Sequence, residues 1–319
     1  MDRRALEDYK LMMADEVRMD AYRRSIQAIC PGKVVCEIGV GLAPLSLMAL
    51  QAGATRVYGI ELNAEILQVA TKIMADNGFG PDRFIPVSGL STNVTLPEKV
   101  DVLLSETLDS MGIGENTAIY MADARARLMK PEACFLPATL ECHVALASPG
   151  VYAERMSFWT ETMPSKYGMK YGVATDEFKN CKHTIPVKND ELASAWVPWQ
   201  RIDFRSDTSY RRLVPLVIPV TRSGEILGFA TAFDAKLSDG VHLRTFPTDA
   251  STHWHQGFNA FPQPIQATAG ELVYMELDIA SNLDPAMRFE MRVVSGTAAE
   301  VTQFVRQRAA QLKGPAGKP

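Results

Sequence analysis

VVCEIGVGLAPLS (34–46) decides how the first half of the chain folds. VVCEI is an apolar run of strand length, G-V-G supplies a tight turn, and the apolar residues after it predict a helix through about Ala52. Strand, glycine turn and helix in that order open a parallel α/β sheet. Working outward, Gly53 closes this helix and RVYGIELN (56–63) reads as the second strand. Ala64 to about Asp76 is helical, with Ile66, Leu67, Val69, Ala70 and Ile73 on one face and Asn77-Gly78 as the stop. RFIPVS (83–88) and VDVLLS (100–105) are the third and fourth strands, and Ala118 to Met129 is a helix ended by Lys130-Pro131. Upstream, residues 5–29 form one or two helices ended by Pro31-Gly32. The alternation predicts a doubly wound parallel sheet.

The pattern changes at FLPATL (135–140). Beyond it ECHVALAS, WVPWQRIDF, RLVPLVIPV, EILGFATAFDAKL, LVYMELDIA and MRFEMRVV alternate with turns, as in an antiparallel, barrel-like β domain. The expected division is 1–137 and 138–319. SFWTETMPSKYGMKYG (157–172) is an aromatic, Met-rich insertion that suits no strand, residues 297–311 read as a last helix, and GPAGKP is a loose tail.

The chain has 319 residues, room for two domains, with 47% hydrophobic and 22% charged residues, ordinary for a soluble globular protein. A net charge of −4 argues against a nucleic-acid partner. No apolar stretch has the length of a membrane span, and MDRRALEDYK lacks the apolar core of a signal peptide, so no membrane partner and a cytoplasmic location are expected. Cys30, Cys36, Cys134, Cys142 and Cys181 form no C-x2-C pair and read as reduced, mostly buried thiols, not a metal site or disulfide frame.

Gly39 and Gly41 let a ligand approach the backbone closely, Glu37 ends the first strand, and Glu61 ends the second, where a carboxylate can accept both hydroxyls of a ribose. A dinucleotide turn wants a third glycine, whereas positions 43 and 44 are Ala and Pro. That favours a nucleoside ligand without a bridging pyrophosphate, such as S-adenosylmethionine, over a nicotinamide cofactor.

SETLDSMGIGE (105–115) follows the fourth strand, at the carboxyl end where open α/β sheets place their ligands. Glu106 and Glu115 bracket a loop containing Gly112 and Gly114. Taken alone they could be two unrelated surface glutamates. Converging, they suit a guanidinium, whose rigid fork of N–H donors matches paired carboxylates.

With DEVR (15–18), the VCEIGVG turn, GIELN (59–63), the two-glutamate loop and THWHQ (252–256) in this order, the chain resembles the protein arginine N-methyltransferases. NGF (77–79), STNVT (91–95) and IGE (113–115) resemble the monomethylating, type III branch. The resemblance implies a Rossmann-like S-adenosylmethionine-dependent methyltransferase domain, then an antiparallel β-barrel domain with an inserted dimerisation arm at 157–172. It implies that Glu106 and Glu115 clamp the substrate guanidinium, with Met12 and Trp254 lining its pocket. Arg18 would bind the cofactor's carboxylate, and Glu37, Gly39, Gly41, Glu61, Leu90 and Thr92 would complete the cofactor site. Thr92 stands where many relatives carry a glutamate near the adenine. Asp15 would pair with His253, the two on separate domains. The helical segment before Asp15 is short, and Tyr9 is its sole aromatic.

The implied reaction moves a methyl group from S-adenosylmethionine to a terminal nitrogen of arginine, leaving S-adenosylhomocysteine and mainly Nω-monomethylarginine. The acceptor is free L-arginine or arginine in a protein, and the assembly is a homodimer. Two other classes remain open: a small-molecule N-methyltransferase with another amine acceptor, and a non-catalytic binding module on the same fold.

Overall fold

The computed structural model describes residues 3–207, 213–279 and 289–312. The GPAGKP tail lies outside them, as do Arg212, Ala280, Met287 and Arg288 at the edges of expected strands. The chain divides into two compact units. The first comprises residues 1–142, 200–210 and 233–254; the second comprises 143–199, 211–232 and 255–319.

The first unit begins with α1 (Arg3–Ala14) and α2 (Glu16–Ile29). They break at Asp15, whose carboxylate caps α2 by accepting from the Arg18 N–H. Ala21, Tyr22, Ser25 and Ile26 then fall on one buried helical face. The sheet follows as β1 (Val34–Ile38), α3 (Pro44–Gln51), β2 (Arg56–Glu61), α4 (Ala64–Asp76), β3 (Phe84–Ser88), β4 (Val100–Ser105), α5 (Thr117–Arg127) and β5 (Met129–Leu136). All four strand pairings are parallel, in the order β3-β2-β1-β4-β5. Strands covered on both faces need near-continuous apolar runs, and Val35, Cys36, Val57, Tyr58, Ile60, Val102, Leu103 and Leu104 are all buried. Asn63 caps α4 by accepting from Glu65 and Ile66 N–H groups; Ile66, Leu67, Ala70 and Met74 face inward. Burying each large side chain stabilises by about 1.5–3 kcal/mol. The order reverses between β1 and β4, so the loops after these strands open at the topological switch point.

One expectation needs correcting here. Met129, Lys130 and Pro131 do not end a helix; they begin β5, pairing with β4 from Val100 opposite Met129. β5 is the outer strand of the sheet, where proline's missing N–H removes no ladder bond.

β6 (Thr139–Ala147) leads into a helical arm in the second unit: α6 (Gly150–Ser157), a π-turn at Phe158–Thr162, α7 (Met163–Tyr167) and α8 (Gly172–Asn180). Then come β7 (His183–Ile185), β8 (Val197–Asp203), β9 (Leu213–Pro219), β10 (Gly224–Ser238), β11 (Val241–Arg244), β12 (Gln256–Ala267), β13 (Leu272–Ile279), β14 (Phe289–Gly296) and α9 (Ala298–Leu312). In this unit β12 pairs antiparallel with β10 and β7, and β13 lies antiparallel between β9 and β14. Tyr152, Ile185, Phe258 and Ala260 share one core, with Phe178 stacked on Tyr152 at 5.7 Å. Arg308 of α9 donates to buried Glu276 of β13 at 2.7 and 3.0 Å. β7, β11 and β12 were not among the expected strands. Of the cysteines, Cys30, Cys36 and Cys142 are buried, while Cys134 and Cys181 are exposed thiols. Among the described residues no helix is long and apolar enough to cross a membrane.

Candidate active site

The residues singled out by sequence gather at the carboxyl end of the parallel sheet, within the first unit. Gly39 and Gly41 follow β1 with φ of +76° and +55°. Both values lie in the left-handed region that glycine tolerates. A Cβ on Gly39 would stand 3.1 Å from Thr107 Cγ2, and one on Gly41 would stand 2.7 Å from the Tyr9 ring. Tyr9 thus lies against the glycine turn. Burial raises its phenol pKa, and the fields of Glu61 and Glu115 raise it further. Both carboxylates are therefore within electrostatic reach of one ring.

Glu61, at the end of β2, accepts from Gly41 N–H at 3.0 Å and from Asn63 N–H at 2.9 Å. Each oxygen makes one of these bonds and keeps a lone pair for a ligand hydroxyl. Glu37 is fully buried behind the turn and accepts from the Ser46 hydroxyl. Burial pushes its pKa up to about 8, against the opposing pull of the Ser46 bonds and of Arg18. Leu90 precedes and Thr92 lies in the short turn Ser91–Asn93, which Arg127 ties to α5 by donating to Ser91 O at 2.7 Å.

Arg18 reaches Glu106 across 88 positions of sequence. Its Nε donates to Glu106 Oε2 at 2.9 Å, Nη2 donates to the same oxygen, and Nη1 donates to the Met12 carbonyl at 3.1 Å. Both side chains of the ion pair are 6% exposed. Burial alone would lower the Arg18 pKa, but the charge of Glu106 and its hydrogen bond reverse the sign. Glu115, at the far end of the loop, is exposed.

His253 Nδ1 stands 2.8 Å from Asp15 Oδ2, and the His253 backbone N–H donates to the same oxygen at 2.8 Å. Burial raises the Asp15 pKa; the His253 bonds and the Arg18 N–H outweigh it, so the net shift is downward. With Asp15 ionised, the contact is a hydrogen bond when Nδ1 carries the proton. Both residues fall within the first unit. Trp254 is buried and its indole N–H donates to Leu108 O at 2.8 Å; its ring packs edge-on to Phe233 and 6.0 Å from the Arg18 guanidinium. Asp15, Arg18, Glu106, His253 and Trp254 thus form one contiguous cluster.

Three features escaped the sequence reading. Asp109 turns back on its own loop, Thr107 and Thr117 share a hydrogen bond at 2.9 Å, and the Tyr9 ring covers Gly41. Only the first left a local signal: an aspartate ahead of S-M-G favours a turn closed by its own side chain.

The fold and this cluster define a Rossmann-like domain with an acidic cluster at the carboxyl end of its sheet, followed by an antiparallel sheet domain. Residues 138–293 match the family model described as the arginine methyltransferase oligomerization subdomain. The chain is 28% identical over 289 residues to the probable histone-arginine methyltransferase 1.3 of Arabidopsis thaliana, covering 85% of this chain and 53% of that one. It is 29% identical to protein arginine N-methyltransferase 1 of Dictyostelium discoideum, covering 84% and 80% respectively. It therefore spans about half the length of the first relative. Among solved structures, the Trypanosoma brucei PRMT1 enzyme-prozyme heterotetrameric complex with AdoHcy superposes with a TM-score of 0.74 at 21% identity, covering 90% of this chain and 97% of that one. Arabidopsis thaliana protein arginine methyltransferase 10 gives 0.75 at 22%, covering 92% and 94%. In sequence and in fold the chain is thus similar to the protein arginine methyltransferases.

Proposed function

We propose that this chain uses S-adenosylmethionine to methylate a terminal guanidino nitrogen of arginine, giving mainly Nω-monomethylarginine. The observation that carries the reading is the Arg18–Glu106 pair: this carboxylate accepts a guanidinium fork at the switch point of the sheet. Glu106 Oε1, whose described bond is a long one to the Leu108 N–H at 3.3 Å, keeps acceptor capacity for a second guanidinium.

The residues present suit the cofactor. Glycine in the left-handed region at 39 and 41 permits close approach, and Glu61 offers acceptors for vicinal hydroxyls. Net negative charge suits a sulfonium. When bound, the sulfonium supplies an electrophilic methyl group. Gly39, Gly41, Glu61, Leu90 and Thr92 would hold the nucleoside, with Arg18 toward its carboxylate; Glu37, expected among them, is buried against Ser46 and would support the turn instead of touching the ligand.

Arginine is protonated at physiological pH and a poor nucleophile. Glu106 and Glu115 draw positive charge to one side of the fork and aim the other terminal nitrogen. Orientation at near-contact distance then supplies much of the rate. The nitrogen gains the methyl carbon while the S–C electron pair passes to sulfur, and the guanidinium gives up a proton. A carboxylate of the clamp, or the Asp15–His253 pair, would relay it.

The monomethylation reading rests on the resemblance of STNVT (91–95), of the glycines before Glu115 and of Thr117 to the type III branch. A pocket closed tightly by Glu106, Glu115 and Trp254, with Met12 lining it, would resist a second methyl group; overpacking of about 1–3 kcal/mol suffices to suppress a second transfer. We place the catalytic half at 1–137 and the substrate and assembly half at 138–319. The arm is expected to form a homodimer, as its exposed Phe158, Tyr167, Met169 and Val173 and the matched oligomerization model support.

Mass spectrometry after incubation with S-adenosylmethionine and either free L-arginine or an arginine-rich peptide tests the reaction and separates the two acceptors. Monomethylarginine is the expected product. Transfer to other amines with none to arginine would overturn the assignment, and abundant dimethylarginine the product claim alone.

A further inference from the structure

The loop joining Glu106 to Glu115 is held in shape by an acid that the reaction above does not use. Asp109 is 9% exposed, and its Oδ1 accepts from the backbone N–H of Met111 at 3.0 Å and of Gly114 at 2.9 Å. Its own carbonyl accepts from Gly112 N–H at 2.8 Å. One residue thus closes three turns across the segment that leads to Glu115.

The glycines show how close the fit is. A Cβ on Gly114 would lie 2.0 Å from Asp109 Oδ2, closer than any contact allows. A Cβ on Gly112, at φ +90°, would meet Cys142 Sγ at 2.9 Å. The segment is also pinned from outside: Trp254 holds the Leu108 carbonyl, and Thr107 and Thr117 join the two ends through their hydroxyls. A carboxylate used to collect backbone N–H groups in this way replaces loop flexibility with a single geometry.

We propose that Asp109 is the positioning residue for Glu115: it sets the loop so that Glu115 faces the same guanidinium as Glu106. Its work is as a hydrogen-bond acceptor, not as a third charge on the substrate. The inference rests on the function proposed above, but the loop geometry can be tested separately.

Asp109→Ala removes the acceptor, and Asp109→Asn keeps an oxygen in its place. For Asp109→Ala, kcat for arginine methylation is expected to fall by about ten- to a hundredfold, the scale of an ångström-sized misplacement. The dissociation constant for S-adenosylhomocysteine, read by titration calorimetry, should stay within about threefold. Asp109→Asn should recover most of the turnover. Hydrogen exchange of the peptide spanning 105–117 should quicken at Met111 and Gly114 in Asp109→Ala and remain near wild type in Asp109→Asn. That readout holds whether or not arginine is the acceptor, so loss of the parent reading would appear as an inactive wild type with the exchange pattern intact. Should Asp109→Ala fail to fold, Gly114→Ala opens the same loop from the other side and is expected to show the same loss of kcat. Unchanged exchange in Asp109→Ala, near-normal turnover in a folded Asp109→Ala or Gly114→Ala enzyme, or an Asp109→Asn as impaired as Asp109→Ala would overturn the proposal.

Discussion

The two ends of the parallel sheet treat charge in opposite ways. At the carboxyl end, Asp15, Glu37, Glu61, Glu106, Asp109 and Glu115 gather with Arg18 among them. At the amino end, a cavity of about 1040 Å³ is lined by Lys99, Arg125, Lys130, Arg205 and Lys236, with Glu132 and Asp239. There each cation has a partner: Lys130 with Asp101 at 2.7 Å, Lys236 with Asp239 at 2.8 Å, and Arg205 with Asp203 at 3.6 Å. Arg125 donates to the carbonyls of Phe204, Ser206 and Asp207, and Lys99 to that of Arg127. Charge matched pair by pair ties chain segments together. Charge left in excess on one side is what a cationic substrate and a cationic cofactor require.

The sharpest way to break this contrast is pH. Glu37, raised to about 8 by burial, stabilises the fold fully only below the ordinary carboxylate range, and that contribution is lost as pH rises from about 4.5 to 8. The slope is at most roughly 1.4 kcal/mol per pH unit, several kcal/mol across the window. Asp101 behaves with the opposite sign: burial raises its pKa, but the Lys130 hydrogen bond, the Val34 N–H and the charges of Lys130 and Lys33 together outweigh it, so its contribution is present at neutral pH and lost as pH falls through the lowered value. Urea denaturation from pH 4 to 9 should show Glu37→Gln flattening the alkaline limb and Asp101→Asn the acid limb. An unchanged alkaline limb in Glu37→Gln would remove the claim for the carboxyl end.

Glu106→Gln should lower turnover by about a hundredfold or more, the scale for losing a preorganised electrostatic contact, with S-adenosylhomocysteine affinity little changed. Normal turnover there would leave the acidic excess without a catalytic use. Glu61→Ala should weaken S-adenosylhomocysteine binding by at least about tenfold, since even one charge-assisted hydrogen bond contributes about 1.5–3 kcal/mol; calorimetry reads this directly. Smallest is Arg125→Ala, at the other end. It should cost about 1–2 kcal/mol of stability by releasing the carbonyls it holds, and leave kcat unchanged. A large catalytic defect in that variant would blur the division between the ends.

Much of this was legible in sequence because it is local. Strands β1 to β4 are apolar runs between glycine and asparagine stops, and each ends near a residue of interest. β5 was hidden by Lys130-Pro131, which signals a stop, and by a broken burial pattern that suits an outer strand better than an inner one. β12 was hidden by Pro262 and Pro264 and by a register shift opposite Ile226 and Gly228 in β10. Gly228 is needed there because a Cβ would lie 2.2 Å from the Asn259 carbonyl. The contacts of Arg18 with Glu106 and of Tyr9 with Gly41 join distant segments, and no spacing rule carries them. The resemblance named Arg18 and Glu106 separately, but only folding shows that they touch.

Asp15 ends one helix, starts the next and grips a histidine 238 positions later. A nascent chain therefore emerges with its first helical break lacking the partner that makes a buried carboxylate tolerable. The first unit takes in residues 233–254, so it cannot close until that segment has been translated. Vectorial folding, in which an amino-terminal domain sets before its successor is made, is denied to this protein. Asp15 must wait for a histidine translated 238 positions later, and the search that unites them belongs to the slow class of long-range closures.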